Sequence, residues 1–245
     1  MLSALVPTLA RAQAWQQVEA VKKSVGNARV TSDGLQLTLP LVAEDGSSVP
    51  LKASAEGMGT SRITRLEIFA PNNPTPQVAV FELSAEIGQL NLSTRIRLSE
   101  SQTVVAVAHV DDGRVIVAER AVRVTTSGCI APAQSDPAAE MKARVRLPKA
   151  WKPGTPNEIL TMISHPMVTG LTADASGNTP STRIIEHFQA TLDGRPVISA
   201  KFFRSLAANP YLKFDMAPSQ PGEMRFEWKE DTGRSAEVTE TIGAA

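Results

Sequence analysis

Thr103-Val104-Val105-Ala106-Val107-Ala108-His109-Val110, then Asp111-Asp112-Gly113, then Val115-Ile116-Val117-Ala118-Glu119-Arg120-Ala121, is the stretch whose reading decides the fold class. Both runs are rich in β-branched residues, which pack well on a pleated surface and lose side-chain freedom in a helix. Each run is strand-length, far short of the roughly 20 apolar residues that cross a bilayer as a helix. Asp-Asp-Gly between them is turn chemistry, so the stretch predicts an antiparallel hairpin.

The same grammar extends outward. Downstream, Val122 to Val124 forms another short run; upstream stand Arg95 to Leu98, then Val78, Val80 and Leu83, then Ile63, Leu66 and Ile68, then Leu35, Leu37 and Leu39 in strict alternation. Glu44-Asp45-Gly46 and Pro71-Asn72-Asn73-Pro74 supply turns between them. Short strands with polar turns predict an antiparallel sandwich. Ahead of them, Trp15, Val18 and Val21 recur at helical spacing and Gly26-Asn27 closes the pattern, which predicts one short N-terminal helix over Trp15 to Lys23.

From Ser127 to Ala139 the periodicity stops, and Ser-Gly-Cys-Ile-Ala-Pro-Ala-Gln-Ser-Asp-Pro-Ala-Ala reads as a linker. A second β pattern follows in Ala143, Val145 and Leu147, in Ile159 to Ile163, in Ile184, Ile185 and Phe188, in Val197 and Ile198, in Tyr211, Leu212 and Phe214, and in Met224, Phe226 and Trp228. Asp193-Gly194 is a hairpin signal. The chain is therefore expected to be all-β, with a sandwich domain over 15–128, a cysteine-bearing linker over 129–140 and a second sandwich domain over 141–245. The strands carry more apolar residues than one buried face each requires, so the two sandwiches are expected to pack strand faces against each other.

Composition removes several functional classes. The 245 residues hold 25 basic and 25 acidic side chains for a formal net charge of +0, which predicts neither a nucleic-acid partner nor a membrane partner. Residues 1–14 resemble the tail of a secretory signal, with Leu2, Ala4, Leu5, Val6 and Leu9 followed by Ala12-Gln13-Ala14, so a periplasmic location is expected. No phosphate-cradling glycine loop, Gly-x-Ser-x-Gly, His-Glu-x-x-His or Cys-x-x-Cys occurs, and the expectation is a non-enzyme without cofactor or metal. Three histidines lie on separate segments: His109 reads as a core or sheet-face residue, His165 as a strand exit facing an interface, and His187 as a solvated partner of Glu186.

The single cysteine, Cys129, is the residue with chemistry to offer. It follows the last strand of the first domain, where it is expected at the surface, and Ser127 and Gly128 give its attachment conformational freedom. No neighbouring base or cation in sequence depresses a thiol pKa of about 8.5, so activation would come from a partner. An unpaired thiol also leaves a disulfide-linked dimer through Cys129 open.

Particular motifs carry a resemblance. Leu39-Pro40-Leu41-Val42-Ala43-Glu44-Asp45-Gly46 with Val49-Pro50, Asn73-Pro74-Thr75-Pro76 with Ala79-Val80-Phe81, Thr94-Arg95-Ile96-Arg97-Leu98 and Val122-Arg123-Val124-Thr125 resemble SoxY. Ile163-Ser164-His165-Pro166-Met167 with Thr169-Gly170, Arg183-Ile184-Ile185, Asn209-Pro210-Tyr211-Leu212-Lys213-Phe214 and Phe226-Glu227-Trp228 before Asp231-Thr232-Gly233 resemble SoxZ. The chain thus resembles a fused SoxYZ carrier of thiosulfate oxidation. The resemblance implies two immunoglobulin-like sandwiches. It gives Cys129 the role of covalent attachment point for a sulfur intermediate, visited by a haem c sulfur transferase, a thiohydrolase and a sulfur dehydrogenase. One departure stands out: the family's arm ends in Gly-Gly-Cys-Gly-Gly at a free terminus, whereas here Ile130 follows the cysteine and the chain continues. Fused chains of this sort resemble a group associated with quinoprotein dehydrogenases, where the protein acts as a carrier or as a structural adaptor.

Overall fold

The computed structural model describes residues 14–127, 141–173 and 177–243. Trp15 lies in a 3-10 turn over Ala14–Gln17, and α1 then runs Glu19–Val25. The expected helix is thus divided, because Val18 adopts an extended conformation (φ −99°, ψ 107°) between the two pieces. Gly26 ends α1 at φ 57°, and its N–H returns to the Lys22 carbonyl at 2.9 Å. That conformation is one glycine adopts without a Cβ clash.

Among the described residues, nine strands precede the linker. They are β1 (Val30–Thr31), β2 (Leu35–Thr38), β3 (Val42–Asp45), β4 (Val49–Ala55), β5 (Ile63–Phe69), β6 (Gln77–Leu83), β7 (Asn91–Ile96), β8 (Gln102–Val110) and β9 (Val115–Thr126). Seven follow it: β10 (Lys142–Arg146), β11 (Asn157–Ser164), β12 (Ile185–Leu192), β13 (Arg195–Phe202), β14 (Tyr211–Met216), β15 (Gly222–Glu230) and β16 (Ser235–Ile242). The all-β reading holds, and the predicted hairpin is β8 paired antiparallel with β9, with Gly113 at φ 83° in its turn. Asp193 and Gly194 both take positive φ (48° and 76°) in the turn joining β12 to β13, the backbone a tight hairpin turn demands. The run Val122 to Val124, expected to stand apart, is instead the end of β9.

β8 is apolar on both faces for a physical reason. Val104, Ala106 and Ala108 point into the main core, while Val105 and Val107 lie with Phe69, Val115 and Val117 beneath Trp15, Val21 and Val25. A strand covered on both sides reads as a continuous apolar run, and here the N-terminal helix is the second cover.

The two halves do not pack face to face. They join edge to edge, and both sheets pass from one half into the other. The larger sheet runs β1-β9-β8-β5-β6-β13-β12-β15-β16, with β3 added beside β9; the smaller runs β10-β11-β14-β7-β4-β2. One seam pairs β6 with β13 antiparallel, placing Phe81 opposite Ala200 and Ala79 opposite Phe202. The other pairs β7 with β14, placing Thr94 opposite Leu212 and Leu92 opposite Phe214. Edge strands carry unpaired N–H and C=O groups, and joining the edges satisfies them. The space between the sheets holds one core cluster with residues from both halves, including Leu66, Leu92, Phe188, Phe214 and Trp228. Across the β6–β13 seam the rings of Phe81 and Phe202 meet edge to face with centroids 6.1 Å apart.

Buried polar groups lock the seam. Asn73 donates to the Arg97 carbonyl at 2.7 Å and to the Ser205 hydroxyl at 2.9 Å, Ser205 donates to the Thr75 carbonyl at 3.0 Å, and the Arg97 guanidinium reaches the Pro166 carbonyl at 3.3 Å. Pro71-Asn72-Asn73-Pro74, read from sequence as a turn, is therefore also an anchor, through Asn73 and with the adjoining Thr75, for the second half.

Candidate functional site

The strand that leads to the cysteine changes partner as it leaves the sheet. Up to Val122, opposite Gln102, β9 is paired with β8. Beyond that point it runs parallel to β3, with Arg123 beside Val42, Val124 beside Ala43 and Thr126 beside Asp45. Arg123 donates its N–H to the Leu41 carbonyl at 2.9 Å, and Gly46 donates to the Thr126 carbonyl at 2.8 Å. Thr125 adds a hydroxyl bond to the Glu44 carbonyl at 2.8 Å, and on the other side the Val124 N–H donates to Ser101 Oγ at 3.0 Å.

β3 is itself held. The Asp45 carboxylate accepts from the Ser47 N–H at 2.7 Å and from its hydroxyl at 2.6 Å, and these bonds hold the Asp45 pKa below its ordinary value. Gly46 passes its carbonyl to the Leu98 N–H at 2.8 Å. Glu44-Asp45-Gly46, expected as a simple turn, thus forms a clamp on the strand that precedes the cysteine. Ser127 is half-buried, and its buried hydroxyl has no hydrogen-bond partner among the described residues. Gly128, Cys129 and the linker 129–140 lie outside the described residues.

Beside this clamp the surface is apolar. Leu41 is 67% exposed and Val42 48%, while Leu41, Pro71, Pro76, Val105, Val122 and Arg123 line an open groove next to them. The sequence marked this segment only through its resemblance to SoxY. Two exposed aliphatic residues between Pro40 and Glu44 were its available signal.

The histidines fall into three environments. His165 is at a strand exit as expected, yet it is buried rather than facing an open interface: its side chain is 1% exposed, and Nε2 stands 2.8 Å from Glu230 Oε1, whose side chain is 0% exposed. The Met167 N–H donates to His165 Nδ1 at 3.1 Å. Nδ1 is therefore the acceptor, and the proton resides on Nε2 and points to Glu230. Burial lowers the His165 pKa despite the neighbouring carboxylate, so the imidazole is neutral. Burial alone would raise Glu230, but the Thr232 hydroxyl, His165 and Arg183 outweigh it, and the carboxylate stays ionised. The His165 backbone exchanges bonds with Asn209, through its N–H to Oδ1 at 3.0 Å and its carbonyl from the Asn209 N–H at 2.8 Å. Ser-His-Pro-Met is thus the hub that fixes the second half.

His109, read from sequence as a core or sheet-face residue, sits on the sheet face that α1 covers. Glu67 Oε1 accepts from Ser24 Oγ at 2.7 Å and Arg65 Nε at 3.1 Å and lies 3.4 Å from His109 Nε2, while Oε2 accepts from Gln77 at 2.9 Å. Burial pulls the Glu67 pKa upward, but the bonds from His109, Ser24 and Arg65 and the Arg65 charge bring it to about 2. Ser24 spends its one hydroxyl proton on the carboxylate, which makes this a pin holding α1 to the sheet, not an activated nucleophile. His187 is exposed, with Nε2 at 3.7 Å from Glu186. Among the described residues no group of three or more His, Cys, Asp or Glu could hold a metal ion, and no helix is long and apolar enough to cross a membrane.

Residues 21–129 match the family described as "Sulfur oxidation protein SoxY", and residues 145–241 match "Sulphur oxidation protein SoxZ". No curated protein matches the chain. Among solved structures, the sulfur carrier protein SoxY from Chlorobium limicola f thiosulfatophilum is 28% identical, covering 43% of this chain and 93% of that one with a TM-score of 0.38. A superoxide reductase (neelaredoxin) from Ignicoccus hospitalis is 10% identical, covering 38% of this chain and 81% of that one with a TM-score of 0.34.

Proposed function

Because the chain belongs to the SoxY family through its first half and to the SoxZ family through its second, we propose that it is a carrier that holds a sulfur intermediate covalently on Cys129. The observation that carries this reading is the clamp on β9. Backbone bonds fix Arg123 and Thr126, the latter three residues ahead of the chain's one cysteine, and the SoxY match ends at that cysteine. Covalent geometry keeps a residue two positions beyond Ser127 within about 7 Å of it. The strand that leads to the cysteine is thus a fixed base beside the exposed Leu41 and Val42.

Loading is oxidative. The Cys129 thiolate and thiosulfate form a sulfur–sulfur bond, giving a cysteine S-thiosulfonate, and two electrons leave to a haem c sulfur transferase. The charge balances, since three negative charges enter and one remains on the adduct. A thiohydrolase and a sulfur dehydrogenase then act on the loaded carrier. The proposed place of work is the periplasm, a reading supported by the apolar stretch Leu2 to Leu9 ahead of the small residues Ala12-Gln13-Ala14, with domains over 15–128 and 141–245. A second reading rests on Ile130 and on the tether at both ends of the cysteine segment, which hinder entry into a narrow channel. In it the chain serves a quinoprotein dehydrogenase as carrier or adaptor.

Intact mass of protein isolated from its native compartment tests the carrier role. A mass increment that reductant removes, and that Cys129→Ser lacks, is expected. An unmodified and unreactive thiol under sulfur-oxidising growth would leave only the adaptor.

A further inference from the structure

The outer face of the six-stranded sheet carries a cationic pocket built from both halves. The ladder places Lys213 of β14 opposite Ser93 of β7, and Ser93 opposite Lys52 of β4. Two lysines therefore flank one serine on the same face. Neighbouring strands lie about 4.8 Å apart, so the lysine Cα atoms are about 10 Å apart, a gap that admits a small anion between the two ammonium groups. Arg95, two residues from Ser93 and on the same face, has its guanidinium 5.3 Å from the Tyr211 ring centroid, which braces it over the pocket. Pro40 and Pro50 wall the remaining side.

The charges do not cancel there. Lys213 is paired with Glu158 at 2.9 Å, and Asp215, the next carboxylate along that strand face, is engaged by the Asn91 amide at 2.7 Å. Lys52 and Arg95 form no ion pair among the described residues, although the whole chain is electrically neutral. Like charges on adjacent strands repel, and a dianion lying beside Lys52 and Arg95 relieves that repulsion while accepting from their N–H groups and the Ser93 hydroxyl, with Lys213, already paired with Glu158, at the rim.

We propose that this pocket binds a divalent tetrahedral oxyanion of the sulfate and thiosulfate class. Lys52, Ser93 and Arg95 come from the first half and Tyr211 and Lys213 from the second, so the site exists only where β7 and β14 are paired. Its presence does not depend on the carrier reading.

Tyr211 is the chain's single tyrosine, so protein labelled with ring-13C tyrosine reports on the pocket through one spin system. Titration of the full chain with sodium sulfate, thiosulfate and phosphate is compared with sodium chloride at matched ionic strength. The expected result is a saturable Tyr211 shift with the divalent oxyanions, weakened about tenfold by Arg95→Gln and by Lys52→Gln and unchanged by Lys229→Gln on the other sheet. Equal response to sulfate and phosphate supports a site for the class as a whole. A shift that follows ionic strength with chloride alone, or one produced by a glutamate-rich peptide and not by sulfate, overturns the proposal. Cys129→Ser is expected to bind the oxyanions as the parent does, which separates this result from failure of the carrier role.

Discussion

His165 Nε2 and Glu230 Oε1 stand 2.8 Å apart with both side chains closed to solvent, a neutral imidazole donating to an ionised carboxylate. This contact joins the exit of β11 to the end of β15, and its loss strips a buried carboxylate of a donor. His165→Ala is expected to cost about 3 kcal/mol, read from urea unfolding at neutral pH. His165→Gln, which keeps an N–H, should recover part of that loss.

The same pair makes stability sensitive to acid. The folded pKa of His165 lies below its ordinary 6.5, so the unfolded chain takes up the proton first, and the contribution present above pH 6.5 falls away below it. Glu230 lies below its ordinary 4.5, so its contribution is present above pH 4.5 and is lost as pH falls through the folded value. Thermal midpoints should therefore decline from about pH 6.5 downward, and His165→Gln should flatten the upper part of that decline. An unchanged slope in the variant would count against the assignment.

Glu67 has a parallel role under α1. Held at about 2 against an ordinary 4.5, it stabilises the fold above pH 4.5 and loses that contribution as pH falls toward 2. Glu67→Gln should cost about 1 to 2 kcal/mol and raise backbone hydrogen exchange in α1 more than in β12 or β15.

At the seam, Phe81 is fully buried and packs its ring against Phe202 from the other half. Phe81→Ala should cost about 3 to 5 kcal/mol. Because both sheets cross the seam, the loss should appear as one cooperative transition. Two separated transitions in calorimetry would show that the halves unfold independently.

For the thiol, Cys129→Ser should shift stability by no more than about 0.5 kcal/mol while abolishing sulfur loading. Native-state thiol labelling checks the premise. Reaction only in denaturant would remove the group on which the carrier role depends.

Much of this was legible in the sequence because it is local. The alternation of Leu35 to Leu39 and of Met224 to Trp228, the Asp-Asp-Gly and Asp-Gly turns and the glycine after α1 each act within a few residues. The pairing of β6 with β13 is a choice between distant edges, and no period encodes it. The apolar excess that pointed to face-to-face packing arises in β8 from the cover of α1 on the second face. β16 leaves little trace in the sequence because its exposed positions are nearly all polar, with Val238 and Ile242 as a thin signal. The site was legible as a cysteine after a strand, but its clamp was not, since β3 reaches β9 across some eighty residues of chain, as in the bond from Thr125 to Glu44.

The two ladders that run through the seam also decide how the protein responds to dilution. Were the halves separate molecules, β6–β13 and β7–β14 would form by collision, and the folded fraction would fall with concentration. Within one chain the same pairing is a loop closure, whose entropic cost grows only slowly with loop length. The fused protein should therefore keep one thermal midpoint across a thousandfold range of concentration, and a carrier present in few copies would remain assembled.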